Sequence, residues 1–254
     1  MKAADSNIVL AIFHKTEDPL QIILSDSALA AMQNMVGHDF SLEDYTNGTY
    51  RQLPADFNGN SHEISVWNTL INQQVANIGD FGGASHLRDA LLSVNVREPV
   101  VRSARDMRAR DFRTGDYIVL GGTGANPWVR LLEQEPFNFE FEGPKITNRN
   151  PGPGELNAYF ADNEGHGYAR IALVPNLTRT GQALIIAGMT MESTEAAVDF
   201  CLGPDSMKLL AALHVKKTGI PPPFEALLRT QKEGGTGVKA ELISVHPLLS
   251  TEDR

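Results

Sequence analysis

Cysteine is nearly missing from this chain: Cys201 is the single one, so no disulfide can form within it. There is also no run of about 18 apolar residues, the length a helix needs to cross a bilayer, so no membrane insertion is expected. Cations are outnumbered, 22 Lys and Arg against 31 Asp and Glu, which leaves a formal net charge of −9. Direct nucleic-acid binding needs clustered cations that displace phosphate counterions, and this balance argues against it. The one arginine-dense stretch, "VRSARDMRARDFR" at 101–113, interleaves its arginines with Asp106 and Asp111 and reads as a self-paired, solvated face.

Catalytic and metal signatures are lacking too. The histidines are scattered, and "HEISV" at His62 opens like a zinc motif but carries Val66 where the second ligand must stand, so no metal is expected. "GMTMES" has no serine elbow of the G-x-S-x-G type. Neither a phosphate-loop lysine nor a G-x-G-x-x-G run occurs, so no cofactor is expected. Cys201 sits among apolar neighbours at helical spacing and reads as core, as does Trp67 on its apolar stripe; Trp128 is read the same way. The opening "MKAADSNIVLAIF" shows no convincing cleavage site, and the compartment is left open between cytoplasm and the extracytoplasmic part of an anchored regulator.

What the chain does contain is alternation. Short apolar runs ("NIVLAIF", "LQIILS", "PVVRS", "DYIVLGG", "FNFEFEG", "YARIALVP", "QALIIAGMT", "FEALLRTQ" and "KAELISVHP") predict strands. Between them "SALAAMQNMVG", "SLEDY", "HEISVWNTLINQQVANIG", "NPWVRLLEQ", "STEAAVDFCLG" and "DSMKLLAALHVKKTG" predict helices. Gly37 ends the first of these as a C′ glycine, and Ser41 with Asp44 has capping-box spacing. The pattern predicts a single α/β domain over 1–254, Rossmann-like or flavodoxin-like, whose mostly parallel sheet carries helices on both faces. A loop-rich insertion at 145–167 and a terminal β-hairpin at 224–247, turning at "EGGTG", complete the expectation.

The glycine knot at Gly121, Gly122, Thr123, Gly124 and Asn126 is the candidate site. Its glycines allow a ligand close to the main chain, and Asn126–Pro127 would cap a following helix whose free N–H groups attract anions. Two further strand ends are alike: Asp26 and Ser27 close the first strand, while Gly188, Thr190 and Thr194 lead into a later helix. If the strands are neighbours, these residues would form a polar rim around one crevice. Each taken alone is also what ordinary capping produces.

Four blocks, "IILSDSALAAMQNMVGHDFSLEDY", "DYIVLGGTGANPWVRLLEQEPFNFEFE", "IALVPNLTRTGQALIIAGMTMESTEAAVDF" and "FEALLRTQKEGGTGVKAELISVHP", resemble a bacterial region found carboxyl-terminal to winged-helix DNA-binding domains of transcriptional regulators. That resemblance implies a sensory or regulatory module and supplies no catalytic residue. The expected function is therefore a ligand-sensing domain that takes a small polar or anionic molecule at strand ends, with a homodimer left open. Two alternatives stand beside it. One is a protein-interaction module without a small-molecule site. The other is a nucleotide- or glycosyl-processing enzyme using Asp26 or Glu195 as acid or base.

Overall fold

The alternation resolves into one large sheet flanked by helices. The computed structural model describes residues 7–16, 18–94, 96–133, 137–162, 164–214 and 221–248. The first part of the chain runs α1 (Ile8–Phe13), β1 (Gln21–Leu24), α2 (Ser27–Val36), α3 (Leu42–Asn47), α4 (Ser61–Asn72) and α5 (Ile78–Leu92). Then come β2 (Val100–Ser103), β3 (Tyr117–Leu120), α6 (Trp128–Leu132), β4 (Phe139–Glu142), β5 (Lys145–Asn148) and β6 (Ala158–Phe160). It ends with β7 (His166–Pro175), β8 (Gln182–Gly188), α7 (Met191–Leu202), α8 (Met207–Ala212), β9 (Phe224–Glu233) and β10 (Thr236–Pro247). Of the predicted helix "DSMKLLAALHVKKTG", residues 215–219 lie outside the described residues.

Among the described residues the large sheet has the order β10-β9-β7-β8-β3-β1-β2, and β4-β5-β6 form a second, antiparallel sheet. β2, β1, β3 and β8 pair in parallel, whereas β8–β7, β7–β9 and β9–β10 pair antiparallel. The expected parallel character thus holds for one half and stops at β8. The 176–181 connection between β7 and β8 is too short for the crossover a parallel pair requires. The terminal hairpin turns on Gly234 and Gly235, both at positive φ (59° and 85°), as a two-residue turn of the I′ kind demands.

Side chains leave the strands on alternating faces. Ile22, Leu24, Ile118, Leu120, Leu184 and Ile186 pack beneath α1, α5 and α7. Ile23, Tyr117, Val119, Ala183 and Ile185 face α2 together with Trp67 of α4 and Trp128 of α6. Under the small sheet, Phe139, Ile146 and Tyr159 meet Tyr168 and Leu227 of the antiparallel half. Cys201 lies fully buried in the first of these clusters, and burial pushes its thiol pKa up, which makes it a packing residue.

The helix expected over 62–79 stops at Asn72, and the insertion expected to be loop-rich at 145–167 supplies β5 and β6. Two further elements depart from expectation. "NIVLAIF" is not a strand: its residues 8–13 form α1, capped by the Asn7 side chain accepting the Leu10 N–H (2.9 Å). All six helical residues are buried, and a uniformly apolar run carries no period to separate helix from strand. The second departure is α5, a helix of 15 residues through "FGG" that no apolar stripe announces. Gly83 there lies against α7, where an added Cβ would stand 3.2 Å from Val198 Cγ2, so the glycine that lowers helix propensity also lets the two helices approach. No helix among the described residues is long and apolar enough to cross a membrane.

Candidate functional site

The chain leaves β1 toward β2 on one side and leaves β3 toward β8 on the other, so the loops after β1 and β3 diverge. In open α/β sheets this reversal opens a crevice at the carboxyl ends of the strands. Three of the expected turns lie at that end: 25–27 after β1, 121–126 after β3 and 188–190 after β8.

Gly121 sits at φ +91°, and a Cβ there would press to 2.9 Å from Ser25 Cβ, so this position demands glycine. Its N–H still donates to Ile186 O (2.9 Å), closing the ladder to β8. The next three amides behave differently. The N–H groups of Ala125 and Asn126 both turn back to Gly122 O (3.0 and 2.7 Å), but those of Gly122, Thr123 and Gly124 have no acceptor among the described residues.

Asn126 does not cap the helix as expected. Its Nδ2 donates to Leu120 O (3.0 Å), tying the loop to the end of β3, while its buried Oδ1 has no partner among the described residues. The helix begins after Pro127 and is only five residues long, too short for an appreciable macrodipole. Trp128, by contrast, is core: its Nε1 donates to Ala104 O (2.8 Å).

At the end of β1, Asp26 is buried and fully engaged. Oδ1 accepts the Leu29 N–H (3.1 Å) as the cap of α2, and Oδ2 takes Arg105 Nε (2.6 Å) and the Tyr45 hydroxyl (3.3 Å). Burial opposes the Arg105 charge, but the Asp26 carboxylate outweighs it and holds the guanidinium above its ordinary pKa. Burial likewise pushes the Tyr45 phenol well up, aided by Asp26. Ser27 donates its N–H to Val75 O (2.9 Å). Behind them, both the N–H (3.3 Å) and the hydroxyl of Ser25 donate to Asp80, whose carboxyl burial pushes up in spite of those bonds.

At the end of β8, Gly188 allows a close approach, since a Cβ would fall 2.3 Å from Thr194 N. Its N–H donates to Thr194 Oγ1 (3.0 Å), and that hydroxyl donates onward to Thr190 O (3.2 Å). Thr190 Oγ1 accepts the Ser193 N–H (3.2 Å) and caps α7. Both threonines therefore serve the helix end. Glu195 faces elsewhere and holds the Gly237 N–H of the hairpin (2.9 Å), so it shares no partner with Asp26.

One cleft of about 600 Å³ joins part of this set. Gly122, Thr123, Gly124 and Gly188 line it, with Gln33 and Asn34 of α2 opposite. Asp26, Ser27, Gly121, Asn126, Thr190 and Thr194, also expected at the site, do not line it. Its far side is built by residues that carry no local sequence signal: Phe141 and Gly143 from the small sheet, and Arg170. The Arg170 guanidinium is held between the rings of Phe137 and Phe141 (4.3 and 4.9 Å to their centroids) and pairs with Glu225 (2.8 Å) and Glu133 (3.4 Å). Burial pushes both carboxyls up, with Arg170 opposing. Its charge is thus met from within the protein, and the cleft presents polar atoms in place of a free arginine.

Asp162, Glu164 and His166 lie within 4.8 Å of one another on the surface. Asp162 already takes His166 Nδ1 (2.8 Å) and the N–H groups of Glu164 and His166 (2.9 and 3.1 Å), which accounts for the grouping without an ion.

Comparison with known proteins gives no match: no family model, no curated protein and no solved structure is similar to this chain.

Proposed function

We propose that this chain is a ligand-sensing, regulatory domain that takes a small polar or anionic molecule in the cleft at the ends of β3 and β8. The supporting observation is the run of amides at Gly122, Thr123 and Gly124, on the wall of that cleft, that have no acceptor among the described residues. At Gly122 and Gly124 an added Cβ would meet nothing closer than 3.8 Å, and neither φ is positive, so the backbone itself does not require glycine there. The missing side chains leave room for a ligand to reach the main chain. Successive N–H groups suit a carboxylate, phosphate or carbonyl oxygen, and a cleft of about 600 Å³ lies within the usual range for small-molecule sites. We read the β2-β1-β3-β8 order as flavodoxin-like, which puts the β1/β3 reversal beside this cleft. The regulatory half of the proposal rests on the resemblance to regions that follow winged-helix domains.

The test is a thermal-shift panel of nucleotides, sugar phosphates and organic acids on the wild type and on Gly122→Val. A ligand at about a hundred times its Kd stabilises by about 2.7 kcal/mol. At least one class is expected to raise Tm in the wild type and not in the variant. If none does so, the proposal fails.

A second reading, a protein-interaction module, is favoured by Ile78 and Phe81, which are 77% and 60% exposed one turn apart on α5. Sedimentation of the wild type against Phe81→Asp tests whether a homodimer forms through that face. Concentration-independent monomers in both would remove it.

A further inference from the structure

A second cleft, of about 500 Å³, shares no lining residue with the first. It opens between the 45–51 segment and the turns that follow β2, and Arg51, Arg105 and Arg108 line it without any carboxylate. In a chain where acids outnumber bases, that wall departs from the overall balance.

The three guanidiniums are not equivalent. Arg105 is a fixed part of the floor: Asp26 meets its Nε, and Nη1 and Nη2 donate to the carbonyls of Leu70, Ile71 and Gln73. Its Cζ lies 5.9 Å from the centre of the Tyr50 ring, and that of Arg51 lies 5.6 Å from it. Arg51 donates only its Nε, to the Tyr50 hydroxyl (3.2 Å), which leaves both Nη groups without a partner among the described residues. Arg108 is steadied through Nη1 by Arg105 O and Met107 O (3.2 and 2.8 Å), and its Nε and Nη2 are likewise unengaged. The nearby acid, Asp111, is shared by Arg102 (3.8 Å), Arg110 (3.9 Å) and the Arg108 main-chain N–H (2.8 Å). Neither Arg51 nor Arg108 has an acidic side-chain partner among the described residues, so both charges are uncompensated at the cavity.

Arginine forks match the terminal oxygens of phosphate and hold them in pairs. The buried rings of Tyr45, Tyr50 and Trp128 supply an apolar wall beside those forks, in a cavity of the size small-molecule sites commonly have. We infer that this cleft binds a phosphate monoester of a small, partly apolar molecule, with Arg51 and Arg108 holding the phosphate. This site is independent of the Gly122–Gly124 cleft, and the tests are separable.

The probes are phenyl phosphate, inorganic phosphate and succinate, titrated calorimetrically into the full chain at mildly alkaline pH, where all three are dianions. Phenyl phosphate is expected to bind saturably, more tightly than inorganic phosphate, with succinate weakest. Arg51→Ala and Arg108→Ala should each weaken phenyl phosphate by about tenfold or more, the loss expected for a charge-assisted hydrogen-bond pair. Both side chains are exposed, so unchanged circular dichroism and Tm are expected in the variants. Gly122→Val should leave phenyl phosphate binding intact, which separates this site from the other cleft. Absence of saturable binding, succinate equal to phenyl phosphate, or wild-type affinity in both arginine variants each overturns the assignment.

Discussion

Arg105 and Asp26 meet at 2.6 Å with 3% and 1% of their side chains exposed, joining the end of β1 to the turn after β2. The same guanidinium donates to the carbonyls of Leu70, Ile71 and Gln73, which are among the groups that the end of α4 leaves without helical partners. One side chain thus neutralises a strand-end acid and completes a helix end. Asp26 does not belong to the cleft, because it is engaged in holding the framework together.

That arrangement predicts a large cost for removing one charge. Asp26→Asn keeps the shape but leaves Arg105 buried and uncompensated, and should destabilise by about 3–5 kcal/mol in urea melts. Adding Arg105→Met should restore part of the loss. A single-variant cost below about 1 kcal/mol would show the pair to be solvated.

The three glycines of the β3 loop should separate cleanly. Gly121→Ala forces a side chain into left-handed backbone at φ +91° and against Ser25, costing about 1–2 kcal/mol or more. Gly122→Ala and Gly124→Ala should be near neutral in stability. Equal Tm losses in all three would contradict the geometry.

Acid should loosen the contact between the small sheet and the hairpin. Burial alone would raise the Glu155 carboxyl, but hydrogen bonds from Ser244, Gly152 N–H, Asn148 and His246 bring it down from 4.5 to about 2. A depressed folded value means stability that is present above pH 4.5 and lost as pH falls toward about 2. The loss is on the order of 3 kcal/mol. Glu155→Gln should flatten the acid limb of stability measured against pH, and an unchanged limb would refute the assignment.

The close approach of α5 and α7 is testable by crowding. Gly83→Val drives a side chain into Val198 and should cost about 1–3 kcal/mol, with partial recovery on adding Val198→Ala. Simple additivity of the two changes would mean that the helices do not touch there.

Local chemistry made much of this readable in advance. Gly37 at φ 75° ends α2, and Ser41 with Asp44 forms the capping box that their spacing implies. The loop at 121–126 falls at a strand end because an apolar run, two glycines and Asn-Pro leave few other outcomes. Signals that depend on distant partners were not readable. α1 is helical where Asn7 caps it, and only burial on every side explains its composition. Glycines hid α5: Gly79 and Gly83 make room for Met191 and Val198 of the neighbouring helix, whereas Gly82 meets nothing. The arginine-dense stretch was self-paired only in part: Arg102 and Arg110 reach Asp111, but Arg105 reaches 79 residues back to Asp26. Pattern reading has no access to a contact of that separation. The same applies to Phe141 and Gly143, brought to the cleft by a different sheet.

The β3 loop is also tethered to α2 at two places. The Asp26 N–H reaches Ala125 O (2.7 Å) at the start of the helix, and Gln33 Nε2 reaches Gly124 O (2.6 Å) two turns later. Gln33 Oε1 in turn accepts the Phe40 N–H (2.9 Å), and Arg130, just beyond the loop, grips Phe40 O (2.7 Å). A molecule settling on the loop could not shift it without tugging the whole of α2 and the stretch behind it. On the proposed sensing role, these bonds are the route by which a ligand on the loop would act on α2.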